Sequence, residues 1–338
     1  MARHLRWGIL ATGSIANQFA EGLKLAQFGE LVAVGSRTLS RAEEFCAKHG
    51  GKAYGSYEEV LADPEVDAVY IATPHHTHMD DTIAAAKAGK AILCEKPFTL
   101  NAYEAEQALK AVEANGVFFM EAFMYRCTPL MAQVREWVAS GRIGDVKMVN
   151  AEFAFLAGED WTNFRNDAAL GGGGLMDVGC YCVSFARGAF GEEPIAATYL
   201  SQSNSKGVDW IGSGQLEFSG KRSAVFTTGV GIVTNNGGAI YGTKGRIKFD
   251  DPWKQGSGKL QLIEGWNTVV EEISVGIKNA ELYAHEADTV ATYVDAGECP
   301  FQSKEDTMQQ MRTLDKLRAS AGIHFAAERS ASAPEVKA

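Results

Sequence analysis

From Leu5 to Phe123 the chain alternates runs that are apolar throughout with stretches that are apolar on one helical face only. That alternation leaves few folds open. "LRWGIL", "LVAVGSR", "VDAVYIA", "KAILC" and "VFFMEAF" read as strands. "SIANQFAEGLKLA", with Ile15, Phe19 and Leu23 on one face, reads as a helix, as do "SRAEEFCAKHG", "MDDTIAAAKAG" and "NAYEAEQALKAVEANG". Strands without a polar face are covered on both sides, and the intervening helices return the chain so that they pair in parallel. The prediction is a doubly wound α/β domain over residues 1–123.

After Phe123 the pattern changes. "PLMAQVREWVASG" is helical, but "VKMVNAEFAFLA", "SGQLEFSG", "RSAVFTTGV", "RIKF" and "TVVEEISV" are longer and many alternate. "NNGG" and "GTKG" between them are turn signals, so these strands are expected to be mainly antiparallel. Helical patterns recur in "LMDVGCYCVSFARGAFG", "HEADTVATYVDAG" and "KEDTMQQMRTLDKLRASAG". Residues 124–327 therefore form a second α/β domain, and 328–338 are expected to be a disordered tail. In "AVFTTGV" both phases carry apolar groups, Val225 on one and Phe226 on the other. One set of helices covers only one face of such a sheet, so a homodimer or higher homo-oligomer is expected.

Charge and cysteines exclude several classes. A net charge of −10 argues against nucleic acid and anionic membranes, both of which need basic surface. No window is read as reaching the roughly 18 apolar residues of a membrane span. The six cysteines lack C-x-x-C spacing and suit a reduced, cytoplasmic setting. The "HHTH" run holds His75, His76 and His78, but their offsets do not converge easily on one ion, and no metal is expected.

The first strand–helix junction reads Ala11-Thr12-Gly13-Ser14-Ile15-Ala16. This is G-x-G-x-x-G/A with its first glycine replaced, where helix-start amides can meet a pyrophosphate. About 20 residues on, an acid would mark NAD. Here Ser36 takes that place, followed by Arg37 and Arg41, groups that hydrogen-bond and neutralise a 2′-phosphate. NADP is expected over NAD. Thr73 and Pro74 line the cofactor after the third of these strands, with His78 near the next helix start.

Two further stretches stand out: "CEKPF", with Glu95 and Lys96 closing an apolar strand, and "GGGGLMDVGCY", with Asp177 and Tyr181 four apart. Together with "RWGILATGSIA", "SRTLSRAEEFCAKHG" and "MEAFMYRCTP", they resemble the Gfo/Idh/MocA oxidoreductases. The likeness spans about residues 5–250 and is greatest to the branch of dimeric dihydrodiol dehydrogenase, NADP-dependent xylose dehydrogenase and glucose–fructose oxidoreductase. The resemblance implies a Rossmann domain followed by an α/β domain with a large open sheet. It implies that Lys96 is the catalytic-site lysine, aimed by a cis peptide before Pro97, with Glu95 holding position or meeting the nicotinamide ribose. It also places Arg165 near the cofactor, within a stretch where Phe164 replaces the family's Trp.

On this reading hydride passes between nicotinamide and a carbinol carbon of a sugar, polyol or cyclic diol. Asp177 and Tyr181 share a helix face. Lys96 is expected to lower the pKa of Tyr181 into the range of a general base, and Asp177 to orient a substrate hydroxyl. A sugar–sugar oxidoreductase with tightly bound NADP is an alternative, and so is a non-catalytic NADP-binding sensor, against which the presence of both Lys96 and Tyr181 argues. Arg126 either faces substrate or makes an inter-domain ion pair.

Overall fold

The computed structural model describes residues 1–158 and 164–330. Its first part runs β1 (Leu5–Leu10), α1 (Ser14–Leu23), β2 (Gly29–Gly35), α2 (Leu39–His49), β3 (Lys52–Tyr54) and α3 (Tyr57–Ala62). It continues through β4 (Ala68–Ile71), α4 (His78–Lys87), β5 (Ala91–Glu95), α5 (Ala102–Asn115) and β6 (Phe119–Ala122). All six strands pair in parallel, in the order β3-β2-β1-β4-β5-β6, which is the doubly wound order with its switch point beside β1. Every residue of β4, β5 and β6 is buried, as strands apolar on both faces require. Helix boundaries follow local chemistry. Asn101 caps α5 by accepting the Glu104 N–H, and Gly116 ends it at a left-handed φ of 63°, the conformation glycine adopts at no steric cost.

The second part contains α6 (Pro129–Ala139), β7 (Val146–Ala154), a five-residue π-helical turn at Leu175–Gly179, and α7 (Cys180–Phe190). Then follow β8 (Ala196–Ser203), β9 (Asp209–Phe218), β10 (Arg222–Gly229), β11 (Gly238–Gly242), β12 (Gly245–Phe249), β13 (Lys259–Glu264), β14 (Thr268–Ser274), α8 (Asn279–Tyr293) and α9 (Lys304–Ala321). The eight strands form one open sheet, ordered β14-β13-β12-β11-β7-β10-β9-β8. All its pairs are antiparallel except β7 with β10.

Helix α7 covers the inner face of this sheet around Trp253, which is fully buried and ringed by Tyr125, Phe153, Tyr181 and Phe185. The run Ala168–Phe190 is long and apolar enough by composition to cross a membrane, contrary to the sequence reading, but 83% of its 18-residue apolar window is buried in this core. Its hydropathy is that of an internal helix.

Helix α8 packs back onto α1 of the first sheet. Gly22 makes this possible, since a Cβ there would lie 2.5 Å from the Tyr283 Cβ. Asp288 of α8 also accepts the N–H groups of Gln27 and Phe28. Arg126 is structural: it pairs with Asp306 of α9 and donates to the Phe301 carbonyl.

Candidate active site

A cleft of about 1280 Å³ opens along the carboxyl ends of the parallel strands, where sheets of this kind bind ligands. At one end lies the β1–α1 loop. Ala11 adopts φ 86°, the left-handed conformation for which the usual motif supplies glycine. The replacement is therefore tolerated at a cost of about 1 kcal/mol. Gly13, by contrast, has an ordinary φ of −72°, and a Cβ there would meet no protein atom within 4 Å. The space over it belongs to the cleft, as close approach of a pyrophosphate requires. Thr12, Ser14 and Ile15 complete the rim.

Beyond β2, Ser36, Arg37 and Arg41 line the same cleft. Ser36 Oγ accepts the Thr38 N–H at 3.4 Å, and both arginines are exposed. Lys48 lines this end as well, donating at 3.2 Å to Asn17 Oδ1, while Asn17 holds the Gly13 carbonyl at 2.9 Å. Three cations and no acid at the Ser36 position fit a dinucleotide carrying an extra phosphate.

The other end is built on β5. Glu95 and Lys96 both line the cleft, and the Lys96–Pro97 peptide is cis. The Tyr70 hydroxyl donates to Glu95 Oε1, and Oε2 accepts the Lys96 N–H at 3.2 Å. The loop after Lys96 is held by Glu121, which accepts the Phe98 N–H at 3.0 Å.

His78 contributes to the same anchoring. It does not line the cleft as predicted but is fully buried, with ring nitrogens 2.8 Å from Thr73 O and 3.1 Å and 3.2 Å from Phe98 O and Pro97 O. The ring is wedged between carbonyls on both sides, and burial lowers its pKa, so as a neutral imidazole it donates to one side only. Thr73 and Pro74 line the cleft as expected, with the Thr73 hydroxyl 2.6 Å from Asp81.

At the centre Lys96 Nζ donates to the Asp177 carbonyl at 2.7 Å and meets Asp177 Oδ1 at 3.3 Å. Arg165 Nε reaches Oδ2 at 2.8 Å. Burial would raise the Asp177 carboxyl, but Lys96 and Arg165 outweigh it and hold it at about 2. Burial likewise pulls the Lys96 ammonium down, and Asp177, the largest opposing neighbour, brings it above its ordinary value. The site therefore holds a carboxylate between two cations at neutral pH. The side chain of Phe164 lies outside the described residues.

Tyr181 is placed differently from the sequence expectation. The Lys96 ammonium lies 5.1 Å from the centre of its ring, while its hydroxyl contacts Met124 Sδ at 3.3 Å and does not line the cleft. Burial pushes the phenol well above its usual value, the reverse of the lowering expected from a neighbouring ammonium. Both residues meet Lys96, Asp177 through its carbonyl and Tyr181 through its ring face, but the Tyr181 hydroxyl ends beside the buried Met124.

Sequence reasoning missed His75, buried beside Lys96, Asp177 and Arg165, and also missed Tyr57 and Lys48 on the cleft wall. In the sequence His75 stands out only within the "HHTH" run, where the pattern suggests metal ligation. Tyr57 belongs to α3, an element too short to declare itself by periodicity.

Comparisons with known proteins agree with this geometry. A model of the oxidoreductase family with an NAD-binding Rossmann fold, Gfo/Idh/MocA, matches residues 5–123, and a model of the family's C-terminal domain matches 131–248. The chain is 34% identical over 332 residues to trans-1,2-dihydrobenzene-1,2-diol dehydrogenase of Xenopus tropicalis, covering 95% of this chain and 99% of that one. It is 40% identical over 258 residues to the Mus musculus enzyme of the same name, covering 74% and 75%.

Among solved structures, a 3-ketoreductase from Actinomadura kijaniata in complex with NADP and TDP-benzene superposes with a TM-score of 0.81 at 27% identity, covering 94% and 98%. An aldose–aldose oxidoreductase from Caulobacter crescentus shares the fold, with a TM-score of 0.86 at 24% identity over 95% and 98%. The chain belongs to the Gfo/Idh/MocA family and is an NAD(P)-binding oxidoreductase.

Proposed function

We propose, from that membership, that the chain is an NADP-dependent dehydrogenase or reductase moving hydride between nicotinamide and a carbinol or carbonyl carbon of a sugar, polyol or cyclic diol. One observation carries the reading. A single cleft joins the Ser36–Arg37–Arg41 end, suited to a 2′-phosphate, to the Lys96–Asp177–Arg165 cluster at the end of β5. The names of the relatives, dihydrodiol dehydrogenases and an NADP-bound ketoreductase, support the substrate class.

When bound, the cofactor would supply hydride as NADPH in reduction and accept it as NADP⁺ in oxidation. In the protein, the Gly13 loop would receive its pyrophosphate, and Arg37 and Arg41 its 2′-phosphate. Lys96, rather than Tyr181, is the group we assign to the substrate oxygen. Asp177 keeps it an ammonium, so in reduction it donates a hydrogen bond to the carbonyl and then its proton to the alkoxide that forms, an oxygen far more basic than an amine. In oxidation the neutral amine takes the proton back.

Asp177 has lone pairs left on both oxygens after binding Lys96 and Arg165, and these orient a neighbouring substrate hydroxyl. The Tyr181 ring forms the wall behind the ammonium, a cation–π contact worth about 0.5–2 kcal/mol. The Lys96 cluster favours an enzyme over a sensor. Screening aldoses, polyols and cyclic diols for NADP reduction tests the assignment. Absence of turnover across the panel, with NADP bound, would favour the sensor.

The outer face of the open sheet supports a homo-oligomer. It exposes Met148, Leu200, Val225, Val269 and Val270, and a second copy of the same sheet covers such a face most simply. Six free cysteines, four of them buried, suit the cytoplasmic setting.

A further inference from the structure

We propose that Asp209 is a positioning residue for the Lys96–Asp177 pair, fixing through the Leu175 N–H the start of the turn that carries Asp177. This rests on the reading that Lys96 and Asp177 act on the substrate oxygen.

Asp209 opens β9 and is 2% exposed. Its Oδ2 accepts the Leu175 N–H at 2.7 Å and the Tyr199 hydroxyl at 3.1 Å. The glycine-rich stretch before Leu175 is shaped around this carboxylate. Gly173 has φ 124°, and a Cβ there would lie 1.7 Å from Asp209 Oδ1. The Gly173 carbonyl in turn accepts the Asp177 N–H at 3.0 Å, and Thr228 of β10 donates to the Gly174 carbonyl at 3.1 Å. The chain of contacts runs from Asp209, through Leu175 and Gly173, to Asp177, and from there to Lys96.

The charge on Asp209 is the adjustable part. Burial pushes its carboxyl up to about 7, against the Leu175 N–H and the Tyr199 hydroxyl. Among the described residues, Arg318 of α9 also acts on it, itself paired with Asp315 and Glu328 at 2.8 Å and 2.9 Å, and Cys182 of α7 acts on Tyr199. An ionised acceptor holds the Leu175 N–H in a charge-assisted bond, and a neutral one holds it about half as strongly. The Asp177 turn is therefore held more firmly above neutrality than below it.

The test reads Lys96 directly. Pyridoxal phosphate condenses its aldehyde with a neutral lysine amine, losing water, and borohydride traps the imine. Lys96→Met serves as the blank. A Lys96 less firmly held by Asp177 titrates lower and labels faster. The ratio of Lys96 labelling in Asp209→Asn to that in the natural protein should be near one at low pH and rise roughly fivefold above neutrality, the effect of about 1 kcal/mol. Tyr199→Phe, which removes a donor to the carboxylate, should shift the pH at which the natural protein tightens upward.

Asp209→Asn should also melt no lower at pH 8 or so, since it removes a buried charge. A ratio that does not change with pH, or faster labelling only with a lowered Tm, would overturn the proposal. No substrate is used. A protein that binds NADP but turns over none of the sugars or diols would count against the enzyme reading and leave the labelling result standing.

Discussion

The Lys96 ammonium lies over the face of the Tyr181 ring, 5.1 Å from its centre, while the Tyr181 hydroxyl is turned to Met124 Sδ at 3.3 Å. This separates two roles that the sequence motif merges. If Lys96 works on the substrate oxygen, Lys96→Met should lower turnover by about 10²- to 10⁴-fold, the usual scale for an acid–base group. Tyr181→Phe keeps the ring face and should lose less than about tenfold. A Tyr181→Phe loss as large as that of Lys96→Met, with a double mutant scarcely worse, would return the base to Tyr181.

Asp177 raises the Lys96 pKa, so its removal must lower it. In the oxidative direction the active form of Lys96 is the neutral amine, and the rate should climb with pH toward a value above that of an ordinary lysine. In Asp177→Asn the climb should come at lower pH, while the maximum rate falls as the substrate hydroxyl loses its acceptor. A limb that stays put in that variant would detach Lys96 from the titration.

If Arg37 and Arg41 hold a 2′-phosphate, they distinguish two cofactors. Arg37→Ala should weaken NADP by about 1.5–3 kcal/mol, the scale of a hydrogen bond to a charged group, and leave NAD nearly unchanged. Isothermal titration with each dinucleotide measures this. Equal losses for both would remove the 2′-phosphate from this end of the cleft.

Glu121 gives a prediction about stability. It is buried, and its carboxyl is pushed up to about 8 by that burial, whereas in the unfolded chain it titrates near 4.3 or so. Below both values neither state is charged. As pH rises between them the unfolded chain ionises first, so stability is lost until the folded pKa is passed. Glu121→Gln keeps the acceptor for the Phe98 N–H and removes this dependence. Its Tm should match the natural protein in acid and exceed it, by the equivalent of a few kcal/mol, above about pH 8. A constant difference in Tm across that range would contradict the burial argument.

Much of this molecule is legible in its sequence for a plain reason. The strands β4, β5 and β6 are buried at every residue and β1 and β2 at most of theirs, so each leaves a largely apolar run. The wall of the cleft was readable as well, because Gly13, Ser36 and Lys96 occupy strand ends that chain order alone identifies. The three-residue β3 and six-residue α3 escaped notice because neither completes a period. The unexpected placements of His78 and Tyr181 have another source. Sequence spacing fixes which turn a side chain belongs to, but not whether its polar end meets the cleft or is taken up by core neighbours, as with His78 among backbone carbonyls and the Tyr181 hydroxyl at Met124.

Exposed apolar residues on the open sheet lead to the last structural expectation. Light scattering should find a homo-oligomer at micromolar concentration, and Leu200→Glu, placing a charge on that face, should shift it toward monomer without lowering NADP affinity. A natural protein that is monomeric throughout would leave the face to some other partner.

The central claim is that one cleft binds NADP and delivers hydride to a carbon whose oxygen is held by Lys96. Its most direct measurement is the absorbance of reduced nicotinamide during incubation with NADP and a panel of aldoses, polyols and cyclic diols, for the natural protein and for Lys96→Met side by side. Turnover is expected with at least one member of the panel, faster with NADP than with NAD, and near-complete loss in Lys96→Met while NADP still binds. Lys96→Met working at the natural rate, or no turnover with any polyhydroxylated substrate, would contradict it.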